Sequence, residues 1–187
     1  MSITINFKNN NTKKNSANLV LFADEKFNVG SLKKYMSGSE FSYISDLLKN
    51  SDLSKNLLVF ELSSKKKIII ISIKKNLKNS DVENLGAELY GRINYGKNSE
   101  YFLNTDSVSN KGANLISHFL HGLKLKSYEF NKYKTKKNTR NISINLVGRK
   151  NLPSAQHQLK FKALEEGTFY TRDLVSEPGN ILHPDEY

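Results

Sequence analysis

Apolar residues in this chain recur with two different periods, and the alternation of those periods predicts the fold. Ile3, Ile5 and Phe7 alternate with Ser2, Thr4 and Asn6, the period-two pattern of a strand covered on one face. The polar stretch from Asn9 to Asn18 reads as a turn or excursion, so the first strand is expected near a sheet edge. Leu19 to Ala23 and Lys67 to Ile73 are continuous apolar runs instead, as expected of strands with helices on both faces. Leu57 to Phe60, Tyr101 to Leu103 and Ile142 to Val147 supply further strands.

Helical periods fall between these runs. Val82, Leu85, Leu89 and Ile93 share one face, and Ser80 with Glu83 is placed to act as a capping box at its start. Leu115, Ile116, Phe119, Leu120 and Leu123 repeat the spacing after Gly112, and Phe41, Ile44, Leu47 and Leu48 do so over a shorter span. From Ser154 to Ser176 a long amphipathic stretch carries Leu159, Ala163, Gly167, Tyr170 and Leu174 on one stripe. It is expected to end before Pro178, which disfavours helical geometry at Glu177. Strand and helix alternate, which predicts an α/β fold: a mixed, mostly parallel sheet flanked by helices, with a C-terminal helix. Lys8 to Ser16, Ser63 to Lys66 and Lys132 to Asn141 are expected to be the most flexible segments.

The 187 residues, 37% of them hydrophobic, suffice to bury one good core. No run reaches the roughly 18 apolar residues of a membrane span, and the N-terminus alternates polar with apolar residues instead of building a signal-peptide block, so the cytoplasm is the expected location. There is no cysteine, which removes disulfides and thiolate chemistry. Net charge is +11, from 29 Lys and Arg against 18 Asp and Glu. Such a balance suits polyanions, but the only arginines are Arg92, Arg140, Arg149 and Arg172, whereas phosphate and base recognition favours arginine's bidentate fork. Lys132, Lys134, Lys136, Lys137, Arg140, Arg149 and Lys150 form a candidate basic patch if the fold brings them to one face.

Two ordered segments carry more than composition does. The first, His121 to Lys136, reads His-Gly-Leu-Lys-Leu-Lys-Ser-Tyr-Glu-Phe-Asn-Lys-Tyr-Lys-Thr-Lys. By itself it is the buried side of a helix end running into a loop. The second contains Arg172-Asp173-Leu174-Val175, then Glu177-Pro178-Gly179-Asn180 and Pro184, where Arg172 and Asp173 suit an ordinary surface pair and Pro178 to Asn180 an ordinary turn. Together, in this order and spacing, they resemble the leucyl (cytosol) aminopeptidases of peptidase family M17. The first is similar to the family's Glu-Gly-Leu-x-Leu-x-x-Tyr-x-Phe-Asp-x-Tyr-Lys-Thr pattern, with His121 in place of the acid and Asn131 in place of the aspartate. The second is similar to the signature joining that family's two domains, with Ser176 in place of asparagine. The resemblance is specific from Gly122 onward and only architectural before that.

The resemblance implies a macro-domain-like N-terminal domain over residues 1–151, then a linker helix and the start of a catalytic domain over 152–187, most of which this chain would lack. It implies that Arg172, Asp173, Glu177, Pro178 and Asn180 are structural residues of the linker. It also implies a parent enzyme, a hexamer removing N-terminal residues from peptides with two divalent metals, zinc or manganese, in the catalytic domain. No cofactor and no catalytic or metal-binding residue is expected in this chain. Asn104-Thr105-Asp106 repeats three letters of the family's metal motif Asn-Thr-Asp-Ala-Glu-Gly-Arg, but continues Ser-Val-Ser and reads as a strand end and turn. His118 and His121 have a metal-pair spacing on a helix but no third ligand nearby in sequence, and are expected as partly exposed helix residues.

Two alternatives are binding functions. A macro-like fold suggests a nucleotide at the carboxyl ends of the strands, yet Val29-Gly30-Ser31 and Ser37-Gly38-Ser39 are isolated glycines, not a phosphate cradle. DNA binding needs the basic patch to be continuous. No membrane partner is expected.

Overall fold

The computed structural model describes residues 2–7, 18–94, 99–108, 112–135, 141–179 and 181. Strands β1 (Ser2–Asn6), β2 (Asn18–Asp24), β3 (Leu57–Ser63), β4 (Lys66–Ile73), β5 (Ser99–Asn104) and β6 (Asn141–Val147) form one sheet in the order β1-β6-β5-β2-β4-β3. Every neighbouring pair is parallel except β3 with β4, which are joined by a tight hairpin. β1 pairs with β6 alone and lies at the sheet edge that its alternating sequence predicts.

The apolar runs of β2 and β4 are continuous because both strands are central and covered on both faces. Val20, Phe22, Ile69 and Ile71 face helices α2 (Asn79–Ile93) and α3 (Gly112–Lys126). Leu19, Leu21, Ile68 and Ile70 face a 3-10 segment (Gly30–Tyr35) and α1 (Gly38–Lys49) on the other side. The predicted helical residues Val82, Leu85, Leu89 and Ile93 of α2, and Leu115, Ile116, Phe119, Leu120 and Leu123 of α3, all lie in the first of these layers.

Helices α2 and α3 touch through their backbones. A Cβ on Gly122 would lie 1.9 Å from the carbonyl oxygen of Glu83, and a Cβ on Gly86 would lie 1.9 Å from that of Phe119. The glycine of the first family-like segment thus lets two helices approach closer than any side chain allows.

Two local expectations are corrected. Helix α2 starts at Asn79, so the box of Ser80 with Glu83 is displaced: the Asp81 carboxylate accepts the Lys78 N–H at 3.0 Å, and Glu83 turns to His118. The Ser-x-x-Glu box forms instead on α1, where Ser37 and Glu40 satisfy each other's amides. Lys66, expected in a flexible turn, is buried with its ammonium 2.5 Å from Glu40. The segment from Lys8 to Ser16, and residues 136–140 of the segment from Lys132 to Asn141, lie outside the described residues.

Candidate functional site

Helix α4 (Ala155–Ser176) follows β6 and lies against α3. Ser154 caps it by accepting the His157 N–H at 3.2 Å, and Glu177 is extended ahead of Pro178, ending the helix where the proline requires. Its docked face differs from the one its apolar stripe predicts. Leu159 and Tyr170 are 69% and 66% exposed, and Ala163 and Gly167 are exposed beside them. The helix docks through Phe161, Glu165, Phe169 and Arg172, a row beginning two residues along, about 200° round the helix. Phe161 is the buried side chain of α4, with the rings of His118 and His121 at 4.9 and 4.8 Å. An aromatic side chain and polar pairs decided the docking, and a stripe of apolar letters does not register them.

At the C-terminal end of α4 the two family-like segments meet. The Arg172 guanidinium donates to the Leu125 carbonyl at 2.8 Å and lies 5.4 Å over the Tyr128 ring. Tyr128 donates its hydroxyl to Asp173 at 2.7 Å and packs against Phe169. Glu177 accepts from the Lys132 ammonium at 2.6 Å and from the Tyr133 hydroxyl. The Lys132 and Tyr133 bonds hold the Glu177 carboxyl below the usual glutamate range, and Glu177 in turn raises both partners. Beyond the helix, the Ile181 N–H donates to the Pro178 carbonyl at 2.9 Å, closing a turn. Asn180, Lys136, Lys137 and Arg140 lie outside the described residues.

The described members of the basic patch divide between two places. Lys132 and Lys134 lie in the loop before β6, whereas Arg149 and Lys150 follow β6, a strand about 20 Å long. The backbone amides of Arg149 and Lys150 donate to Asp106 Oδ1 at 2.9 and 2.6 Å. This occupies the Asp106 carboxylate in joining two loops, and Asn104-Thr105-Asp106 is a strand end and turn: Asn104 Oδ1 accepts the amides of Asp106 and Ser107.

Farther up α4, His121 is buried and its Nδ1 lies 3.2 Å from Glu165, while His118 Nδ1 lies 2.7 Å from Glu83. Partly exposed describes His118 but not His121. Each imidazole has a carboxylate partner, both pack on Phe161, and among the described residues no three His, Cys, Asp or Glu side chains gather as a metal site requires. These residues do not fit a metal centre. At the carboxyl ends of β2 and β4, where a nucleotide would be expected, a cavity of about 200 Å³ is lined by Asp24, Asn28, Ser31 and Ser107. That is below the roughly 300 Å³ at which small-molecule pockets begin.

A larger cavity, about 700 Å³, opens between β1, α3 and α4. Ile5, Phe7, Leu120, Phe161 and Phe169 form its apolar wall, with Lys124, His157 and Glu165 among the polar groups. Sequence reasoning missed Phe161, Lys124 and Glu165. The only signal was Glu165 four residues after Phe161 on the face opposite the chosen stripe. Among the described residues, no helix is long and apolar enough to cross a membrane.

No family model matches the sequence. A probable cytosol aminopeptidase of Nitrobacter winogradskyi is 24% identical over 188 residues, covering 90% of this chain and 36% of that protein. One from Clostridium perfringens is 36% identical over 97 residues, covering 48% of this chain and 20% of its own length. A solved mutant form of tomato leucine aminopeptidase matches 98% of this chain and 40% of its own with a TM-score of 0.68 at 17% identity, a likeness of fold. The chain therefore spans well under half the length of these relatives. The resemblance drawn from two motifs extends to named relatives and to the mixed α/β fold with its C-terminal helix.

Proposed function

We propose that this chain, related by sequence and fold to the cytosol aminopeptidases, is the non-catalytic N-terminal domain and inter-domain linker of a leucyl aminopeptidase. Residues 1–151 form the domain, and 152–187 lead toward a catalytic domain. The parent removes N-terminal residues from peptides in the cytoplasm with two divalent metals, zinc or manganese, held by residues of that catalytic domain, and works as a hexamer.

The observation that carries this reading is the meeting of the two family-like segments. They lie about 45 residues apart, yet Tyr128 bonds Asp173, and Lys132 and Tyr133 bond Glu177. Arg172 adds a bond to the Leu125 carbonyl. One buried side chain, Phe161, anchors α4 far from its end, so directional bonds at the last turn are what fix where the chain leaves it. The role assigned to Arg172, Asp173 and Glu177 is therefore to set the direction of the linker, and that of Pro178 to stop the helix there. Lys132 belongs to the same clasp, so its ammonium serves an intramolecular bond.

Hydrolysis of leucine p-nitroanilide with added manganese or zinc tests the assignment, comparing this chain with a form extended through the downstream reading frame. Activity only in the extended protein is expected. Activity in the short chain would overturn the non-catalytic assignment, and activity in neither would remove the support for an aminopeptidase parent.

A further inference from the structure

We propose that the groove between β1, α3 and α4 is a binding site for a short zwitterionic peptide with apolar side chains, its carboxylate on Lys124 and its ammonium on Glu165. The groove's chemistry selects this ligand, and the inference does not rest on the aminopeptidase assignment.

Lys124 is the first observation. Its ammonium lines the groove and donates to the Ile3 carbonyl at 2.7 Å, but among the described residues no carboxylate lies within ion-pair distance of it. A lysine ammonium has three donors, and half-burying it beside one neutral carbonyl leaves part of the desolvation cost uncompensated. Burial accordingly holds Lys124 below the usual lysine range, with the negative charge of Glu165 opposing the shift. A ligand carboxylate would supply the missing counter-charge.

The second observation is the opposite charge in the same wall. The Glu165 side chain keeps 16% of its exposure and is bonded to His121 through one oxygen. A carboxylate accepts several hydrogen bonds, so a ligand ammonium has a place to dock. The His157 side chain also lines the groove, although its Nδ1 is buried. The third is size and polarity. About 700 Å³ walled by Ile5, Phe7, Phe161 and Phe169 is larger than a single amino acid needs and suits two or three residues with apolar side chains. A ligand without a carboxylate would leave Lys124 without a counter-charge, and one without an ammonium would leave His121 as the only hydrogen-bond partner of Glu165 among the described residues.

The test uses the intact 187-residue chain, labelled with nitrogen-15 and titrated with leucyl-leucine, its C-terminal amide and its N-acetyl form. Leucyl-leucine is expected to bind with millimolar or tighter affinity, shifting amides of α3 near Lys124 and of α4 near Phe161 and Glu165. The amide and the acetylated peptide are each expected to bind about tenfold more weakly, the loss of one charge-assisted contact. Lys124→Met, which keeps the aliphatic stem, is expected to bind the dipeptide and its amide equally weakly. No shift in the groove at millimolar dipeptide would overturn the proposal. Equal binding by the amide would overturn the role of Lys124, and equal binding by the acetylated form that of Glu165. Because the wild-type chain supplies these comparisons, a Lys124→Met protein that fails to fold leaves the test intact. Neither result depends on peptidase activity, so it stands or falls separately from the assay of the extended protein.

Discussion

Gly122 in α3 and Gly167 in α4 sit inside neighbouring helices and meet opposite surroundings. A Cβ on Gly122 would strike the backbone of α2, whereas a Cβ on Gly167 would meet nothing within 4 Å. The contrast extends along both elements. Helices α2 and α3 are pressed backbone to backbone over a layer of fully buried aliphatic side chains. Helix α4 rests on one buried phenylalanine and a row of polar contacts, with Leu159, Tyr170 and Val175 turned to solvent. One part of the molecule is held by close packing, which has a single low-energy arrangement. The other is held by side-chain tips, which specify direction at small cost in stability.

The sharpest way to break this comparison is at the glycines. Gly122→Ala forces α2 and α3 apart and is expected to cost about 3 kcal/mol or more, seen as a lower denaturant midpoint. Gly86→Ala meets the Phe119 carbonyl in the same way and is expected to match it. A loss under about 1 kcal/mol at both would show the helix contact to be looser than described.

Next in size is Phe161→Ala. Removing the one buried side chain of α4 is expected to cost about 3 kcal/mol, confined to that helix. Amide exchange should speed up through α4 while β2 and β4 keep their protection. Equal acceleration in those strands would make α4 part of the cooperative core.

The clasp sharpens the comparison through pH. Glu177 has a lowered folded-state carboxyl, so its contribution is present above the ordinary glutamate value, about 4.3, and is lost as pH falls through its depressed value. Lys132 and Tyr133 are raised, so theirs is complete below their ordinary values, about 10, and is lost as pH rises through the elevated ones. Protection of the last turn of α4 should be flat between those limits and fall outside both. Glu177→Gln should remove the acid limb and, because Glu177 is what raises Lys132 and Tyr133, the alkaline limb with it; persistence of the acid limb would place that titration elsewhere.

The smallest expected effect has the opposite sign. Gly167→Ala fills open space in an exposed helix and is expected to stabilise α4 by about 0.5–1 kcal/mol. A destabilised protein would mean that this face of α4 is covered.

The same division explains what was legible in the sequence. The central strands and the buried faces of α2 and α3 follow from Ile68 to Ile71, Val20, Leu89 and Phe119, because apolar burial leaves a period that residue types alone reveal. The docked face of α4 was not legible. Leu159 and Tyr170 make the better apolar stripe, but Phe161, Glu165 and Arg172 find partners on α3 and the loop after it, which no period within α4 encodes. The displaced cap of α2 is similar: Lys78 with Asp81 has the same spacing as Ser80 with Glu83, and Glu83 finds its partner in His118 on α3, which no local pattern encodes. The clasp was legible only in part. Its residues lie in two recognisable segments, but their pairing depends on the path of α4.

The most direct test of the account is native-state hydrogen exchange across the intact chain, wild type beside an Asp173→Ala, Glu177→Ala double variant. The account predicts that wild-type α4 opens at lower free energy than β2, β4, α2 and α3, and that the double variant frees only the C-terminal turns of α4 and the loop carrying Tyr128 to Tyr133. Exchange of α4 as slow as the core in the wild type, with no change in the double variant, would contradict it.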